Sequence, residues 1–194
     1  MNKKKLLPLI LSVALIGAIG VGATLAYFTD SEEATNVITM GNVDIELTEP
    51  SFPEDKKVED ITPGQEIAKD PTITVKETSQ DAYVRATIEI TGLSDLQKQQ
   101  LLAKITINSG WLLSDDGYYY YQNSLKATES ATLFDKVVIP ETWKNEVADK
   151  TFEIIVKAEA IQADNFTPAK DTAGNIIGWN YSDGSAITVE NYAG

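Results

Sequence analysis

The residues best placed to do chemistry in this 194-residue chain are a run of tyrosines, Tyr118 to Tyr121, and several close pairs of acids. The tyrosine run offers two readings. It is either an aromatic platform for sugar or peptide, or a strand with aromatics on both faces; tyrosine's preference for strands favours the second. Asp115-Asp116, and Asp44 with Glu46, hold the carboxylates a glycosidase or a calcium site needs. However, the D-x-[DN]-x-[DN]-G calcium-loop spacing is absent. With 29 acids in the chain, close pairs arise by chance, and solvated surface is the expectation for them. Asn165-Phe166-Thr167 and Asn180-Tyr181-Ser182 match the N-glycosylation pattern, which is too short to carry weight.

The absences narrow the chemistry further. The chain has no histidine, so Ser-His-Asp and Cys-His nucleophile systems, His-ligated zinc and the H-E-x-x-H metalloprotease pattern are all missing. Cysteine is missing too, so no disulfide supports the fold. No phosphate-binding glycine loop or nucleophile elbow is present. No catalytic residue, cofactor site or metal site is therefore assigned, and the expectation is a protein that binds or assembles.

The N-terminus has the three parts of a secretory signal. Lys3, Lys4 and Lys5 precede an apolar run from Leu6 to Val21, and Thr24-Leu25-Ala26 puts small residues at positions −3 and −1 of a cleavage site before Tyr27. A retained anchor is the alternative, since a span needs roughly 20 apolar residues; the glycines and the small-residue ending favour cleavage. Residues 1–26 hold three lysines and no acid, so the remainder carries 13 basic and 29 acidic side chains, a net charge of −16. Such a body repels nucleic acid and anionic lipid. The expected partners include neither nucleic acid nor, after cleavage, a membrane.

Beyond the signal the chain reads as strands. Val43-Asp44-Ile45-Glu46-Leu47 alternates, as does Tyr83 to Ile90, with Val84, Ala86, Ile88 and Ile90 on one face. Ile73 and Val75 start another strand, and Pro63-Gly64 marks a turn. Glu49 to Asp60 is rich in proline and charge and reads as an exposed loop. Ser94 to Lys104 is the one good helix, with Ser94 and Gln97 spaced as a capping box. Asp116-Gly117 between Ile105–Leu113 and Tyr118–Gln122 is a hairpin signal. Ala131 to Ile139 reads as a further strand ended by Pro140, and Glu141 to Asp149 as a short helical turn. Thr151 to Ala163 alternates again. About six or seven short strands and one helical insertion give an all-β antiparallel sandwich, with a jelly roll the favoured variant. The expected organisation is a cleaved signal at 1–26, an N-terminal segment at 27–40, the sandwich at 41–166 and a loosely structured tail at 167–194, with one further strand near Ala186 to Val189.

Residues 27–39 are too polar to build a core. A freed segment of this kind can add as a strand to a neighbour's open sheet edge, and such a contact repeated head to tail generates a fibre. A disordered terminus is the equal alternative on physical grounds.

The stretch Gly22 to Leu47 (GATLAYFTDSEEATNVITMGNVDIEL) resembles the export signature of the TasA/camelysin family, including its BsaA-type matrix proteins, which are processed by the SipW signal peptidase. Ala26 before Tyr27-Phe28, then Thr29-Asp30, Asn36 and Gly41 to Asp44 carry the likeness. A second block, Pro63-Gly64 followed by Ser79 to Arg85, resembles the family's "PG…strand…GSxxAYVR" segment, with Ser79 where relatives often have glycine. A third runs from Phe134 to Pro140 and from Phe152 to Phe166. The resemblance implies a secreted jelly-roll subunit of extracellular-matrix or cell-surface fibres, a homopolymer joined by strand donation. The donor would run from Tyr27 to about Met40, with Tyr27, Phe28, Val37 and Ile38 as its apolar residues and Ala26–Tyr27 as the cleavage point. Signal peptidase and other matrix or accessory proteins are the further implied partners. The alternatives are a camelysin-like surface protease and a monomeric adhesin that binds glycans through the tyrosine run.

Overall fold

The computed structural model describes residues 28–29, 39–40, 43–53, 57–143, 151–164, 166–181 and 183–187. Ala26, Tyr27, Val37, Ile38 and residues 144–149 of the helical turn expected at Glu141 to Asp149 lie outside them.

Alternation in the two longest segments builds the central strand pair. Strand β7 (Ala82–Thr91) and strand β12 (Glu153–Gln162) pair antiparallel over their whole length. Their inward residues Val84, Ala86, Ile90, Ile154, Val156, Ala158 and Ala160 are buried, as their period-two spacing requires. On the far side of β7, β9 (Tyr119–Tyr121) pairs antiparallel, followed by β8 (Trp111–Leu113). The Asp116-Gly117 signal is met: the hairpin turn closes with Ser114 N donating to Tyr118 O, and Gly117 takes φ +86°.

The opposing layer holds β3 (Ile45–Thr48), β6 (Thr72–Val75) and β10 (Ser130–Thr132), in the order β10-β6-β3. Strands β5 (Glu66–Ala68) and β11 (Lys136–Val138) form a further antiparallel pair. Ile45, Ile73, Val75, Ile67 and Val137 meet the inward residues of β7 and β12 in one core. The protein is thus the all-β sandwich that the alternation implies. Its helix, α1 (Asp95–Leu102), begins at the expected capping box: Ser94 and Gln97 satisfy one another's end of the first turn.

Several elements differ from the sequence reading. Ala131 to Ile139 is not one strand: Leu133 and Phe134 are buried between β10 and β11, and the chain changes sheets there. Most of Ile105 to Leu113 is irregular, with only Trp111–Leu113 in a strand. The described residues of the loop from Glu49 to Asp60 are mostly exposed, as expected, but Phe52 is buried and the loop carries a short strand, β4 (Lys57–Val58). Most of all, 167–187 is no loose tail. Strands β13 (Thr167–Lys170) and β14 (Ile176–Asn180) form a hairpin, joined by a bridge from Asn180 to Ala186. Ile176, Trp179 and Ile187 bury against Tyr120 and Ile161 in a second, smaller core. These apolar residues are too widely spaced to show a period in the sequence, yet a hairpin needs only a few inward anchors to seat it.

The N-terminal segment contributes two short strands. β1 (Phe28–Thr29) pairs antiparallel with β4, and β2 (Thr39–Met40) pairs parallel with β12 at Ala160 and Ile161.

Candidate functional site

The outer face of the five-stranded sheet carries the densest polar cluster, and strand register puts it there. Arg85 on β7 stands directly opposite Glu159 on β12 and Tyr120 on β9. Arg85 Nε and Nη2 donate to Glu159 Oε2 at 2.8 and 2.6 Å, and Nη1 donates to Tyr120 Oη at 2.9 Å. Tyr118 Oη donates to Glu159 Oε1 at 3.1 Å. Asp116 accepts from Tyr120 Oη at 2.7 Å and from the Tyr118 backbone N–H at 3.0 Å. Aromatic rings complete the enclosure, with Arg85 Cζ 3.8 Å from the Tyr118 ring centroid and 4.3 Å from that of Trp179.

Arg85 is 5% exposed. Burial works against its charge, but Glu159 and Tyr120 outweigh that, so its pKa rises above the ordinary arginine value. Burial likewise pushes the Tyr118, Tyr119 and Tyr120 hydroxyls above the usual phenol pKa, and the neighbouring carboxylates add to this at Tyr118 and Tyr120. The bonds to Glu159 and Asp116 favour the protonated tyrosines, whereas the Arg85 bond to Tyr120 works the other way. Arg85 and the three tyrosine hydroxyls are thus held toward their protonated forms.

The tyrosine run is therefore no open platform. Tyr120 is buried, and the β13–β14 hairpin lies over this face. Gln122 fixes the hairpin as a strand would: its Nε2 donates to Ile176 O at 3.0 Å and its Oε1 accepts from Ile176 N at 2.7 Å. Ser114 Oγ adds a bond to Ile177 O at 2.8 Å. The acid pairs are dispersed: Asp116 serves the tyrosines, while exposed Asp44 lies 3.1 Å from Lys76.

A second buried charge pair escapes any sequence signal. Lys69 Nζ sits 2.6 Å from Glu49 Oε1 and 4.7 Å from the Phe52 ring centroid, with Lys69 fully buried. Beside it, Ser51 N and Oγ each donate to the Asp70 carboxylate at 2.8 Å. Together these contacts clamp the loop leading from β3 to β4. A lysine next to an aspartate in a connecting segment would ordinarily read as solvent-exposed, and only the fold reveals that Lys69 points inward.

Of the residues assigned to strand donation, Phe28 falls in β1, whose backbone pairs with β4. Fold and site define an all-β sandwich in which residues 28–29 and 39–40 pair with β4 and β12. The chain belongs to the camelysin family: the family model described as camelysin metallo-endopeptidase matches residues 2–165. A comparison with curated proteins finds no match.

That description implies a metal, and the chain lacks the side chains that hold peptidase zinc. Peptidase zinc is held by histidine with a carboxylate or by cysteine, and this chain contains neither histidine nor cysteine. Among the described residues no three acids come close enough to form an all-carboxylate site. Glu49, Asp70, Asp116 and Glu159, the acids drawn into the two polar clusters, are engaged by Lys69, Ser51, the tyrosines and Arg85.

Proposed function

We propose that this protein is a secreted structural subunit of extracellular-matrix or cell-surface fibres, non-enzymatic, assembling head to tail by donation of its N-terminal segment as a strand. The observation that carries the reading is the pairing of β2 with β12: residues beyond the sandwich proper add to its sheet edge through backbone hydrogen bonds. The resemblance of Gly22 to Leu47 to exported matrix proteins supports the same reading, as does a signal segment whose removal would free Tyr27. Cleavage after Ala26 then acts as the assembly switch, because a membrane-held segment cannot enter a neighbour.

Deleting residues 27–40 from the mature protein is the test. The expected product is a folded monomer that forms no fibres by electron microscopy; fibres from it under the same conditions would refute strand donation by this segment.

The family's description favours a second reading, a surface protease. Incubating the mature protein with casein, with and without a chelator, separates the two. No cleavage is expected, and chelator-sensitive cleavage that persists through purification would overturn the non-enzymatic assignment.

A further inference from the structure

We infer that Lys69 and Glu49 form a covalent cross-link: the buried lysine amine condenses with the glutamate carboxyl to an amide, with loss of water. The site stands apart from the Arg85 cluster and is independent of how the chain assembles.

Three observations bring a nucleophile and an electrophile together. First, Lys69 Nζ lies 2.6 Å from Glu49 Oε1, and both side chains are withdrawn from solvent, at 0% and 8% exposure. Other described lysine–carboxylate pairs lack that burial. Lys136 with Glu66 at 2.7 Å and Lys76 with Asp44 at 3.1 Å have side chains about half exposed. Water holds such exposed pairs as ions, and an ammonium has no lone pair with which to attack.

Second, both side chains start from anchored backbone. Lys69 N donates to Asp135 O at 3.2 Å, and Phe52 N donates to Glu49 O at 3.1 Å, which turns the chain back after Glu49. Third, the surroundings close over the pair. The buried Phe52 ring has its centroid 4.7 Å from Lys69 Nζ. Ser51 N and Oγ, each donating to Asp70 at 2.8 Å, tie the two segments together beside it.

The step balances within the pair. Burial penalises both charges, which favours transfer of one ammonium proton to the carboxylate across the 2.6 Å contact. The lone pair of the neutral amine then attacks Glu49 Cδ and forms the C–N bond. A second amine proton passes to the Glu49 hydroxyl, the C–O bond breaks and water leaves. The third hydrogen stays on nitrogen as the amide N–H. No oxidant, reductant or cofactor is consumed. Reactants fixed in attack geometry behave as though present at about 10⁵–10⁸ M, and exclusion of water opposes the reverse hydrolysis.

The product staples the residue after β3 to the segment between β5 and β6, closing a loop from residue 49 to residue 69. A chain without cysteine thereby gains the constraint a disulfide supplies elsewhere, and gains it whatever the redox state of its compartment.

Peptide mapping by tandem mass spectrometry tests this on the unsubstituted protein, held at neutral pH and denatured before digestion. The expected result, in most molecules, is a branched peptide that joins the Glu49 and Lys69 segments and is lighter by one water than the two apart. Lys69→Arg and Glu49→Ala are each expected to abolish the branch and restore the full sequence mass. These readings are made on denatured chains, so they hold whether or not a variant folds well. Recovery of only the two unjoined peptides from the unsubstituted protein would overturn the inference. So would a water loss that persists in Lys69→Arg, because it would lie elsewhere, as in a succinimide at Asp116-Gly117 or Asp183-Gly184.

Discussion

Replacing Arg85 with methionine tests whether the outer-face cluster stabilises the fold. The substitution keeps much of the length of the side chain but removes both bonds to Glu159 Oε2, the bond to Tyr120 and the charge between the Tyr118 and Trp179 rings. The Glu159 side chain, only 15% exposed, then keeps one partner, the Tyr118 hydroxyl. Removing one member of a buried pair leaves the other charged and poorly solvated, at a cost of about 3–5 kcal/mol. For a domain of this size each kcal/mol lowers Tm by about 2–4 °C, so a drop of roughly 6–20 °C is expected. Urea unfolding followed by tryptophan fluorescence and circular dichroism provides the measurement.

The diagnostic comparison is with Arg85→Met combined with Glu159→Met. If the loss comes from a stranded carboxylate, removing that carboxylate restores part of it, and a double-mutant cycle should return a coupling of at least about 1.5 kcal/mol. A single-variant loss below about 1 kcal/mol would contradict the stranded-charge account. So would a double variant as unstable as the sum of its parts. Either outcome would mean that the cluster is effectively solvated.

Two further outcomes follow from the geometry. Gly92 has φ +79°, and a Cβ there would collide with the Thr151 carbonyl and lie 2.9 Å from Phe152 Cα; Gly92→Ala should cost more than about 2 kcal/mol, whereas Gly117→Ala, with φ +86° but open space, should cost about 1–2 kcal/mol, both read by urea unfolding. The raised pKa values of Tyr118, Tyr119 and Tyr120 mean that folding favours their protonated forms, so their contribution is complete below the ordinary phenol value of about 10 and is lost as pH rises beyond it. Absorbance titration of tyrosinate should therefore show a late phase that coincides with unfolding, and a single phase near pH ~10 in native protein would contradict it.

The sandwich is legible in the sequence because its two long strands alternate strictly. Ala82–Thr91 and Glu153–Gln162 place nearly every inward residue by period alone, and the Asp-Gly turn and the capping box are local signals that need no tertiary knowledge. What cannot be read depends on contacts between distant residues. Arg85 sits on the polar phase of β7, where alternation assigns it to solvent. It is buried because Trp179 arrives from 94 residues later, and no period links the two. The same holds for Glu49 and Lys69, which look like loop charges until the chain folds them inward. The hairpin at 167–180 escapes for a related reason: its anchors, Ile176 and Trp179, are few, and the strand between them contains Gly178. Of the candidate site, the N-terminal segment is recognisable from its sequence, whereas the β4 and β12 edges that pair with it emerge only from register.

The family match ends at residue 165, and β13 begins at Thr167, so the hairpin that covers the Arg85 cluster lies beyond it. Arg85 and Glu159 both fall inside the match, so their pairing is intrinsic to the sandwich and the hairpin supplies only the aromatic cover. That cover has a consequence for assembly. With Trp179 and Ile176 laid on the outer face of β9 and Gln122 binding the hairpin's backbone, this part of the face is no longer open to a second subunit. Two chains, each of net charge −13, also repel one another, which disfavours broad face-to-face contact. Strand addition suits such a body better, because it concentrates many directional backbone bonds in a narrow seam and needs little apolar area. On the fibre reading, the covered face and the acidic surface act together: both suppress side-by-side association and leave the sheet edges as the place where copies can meet.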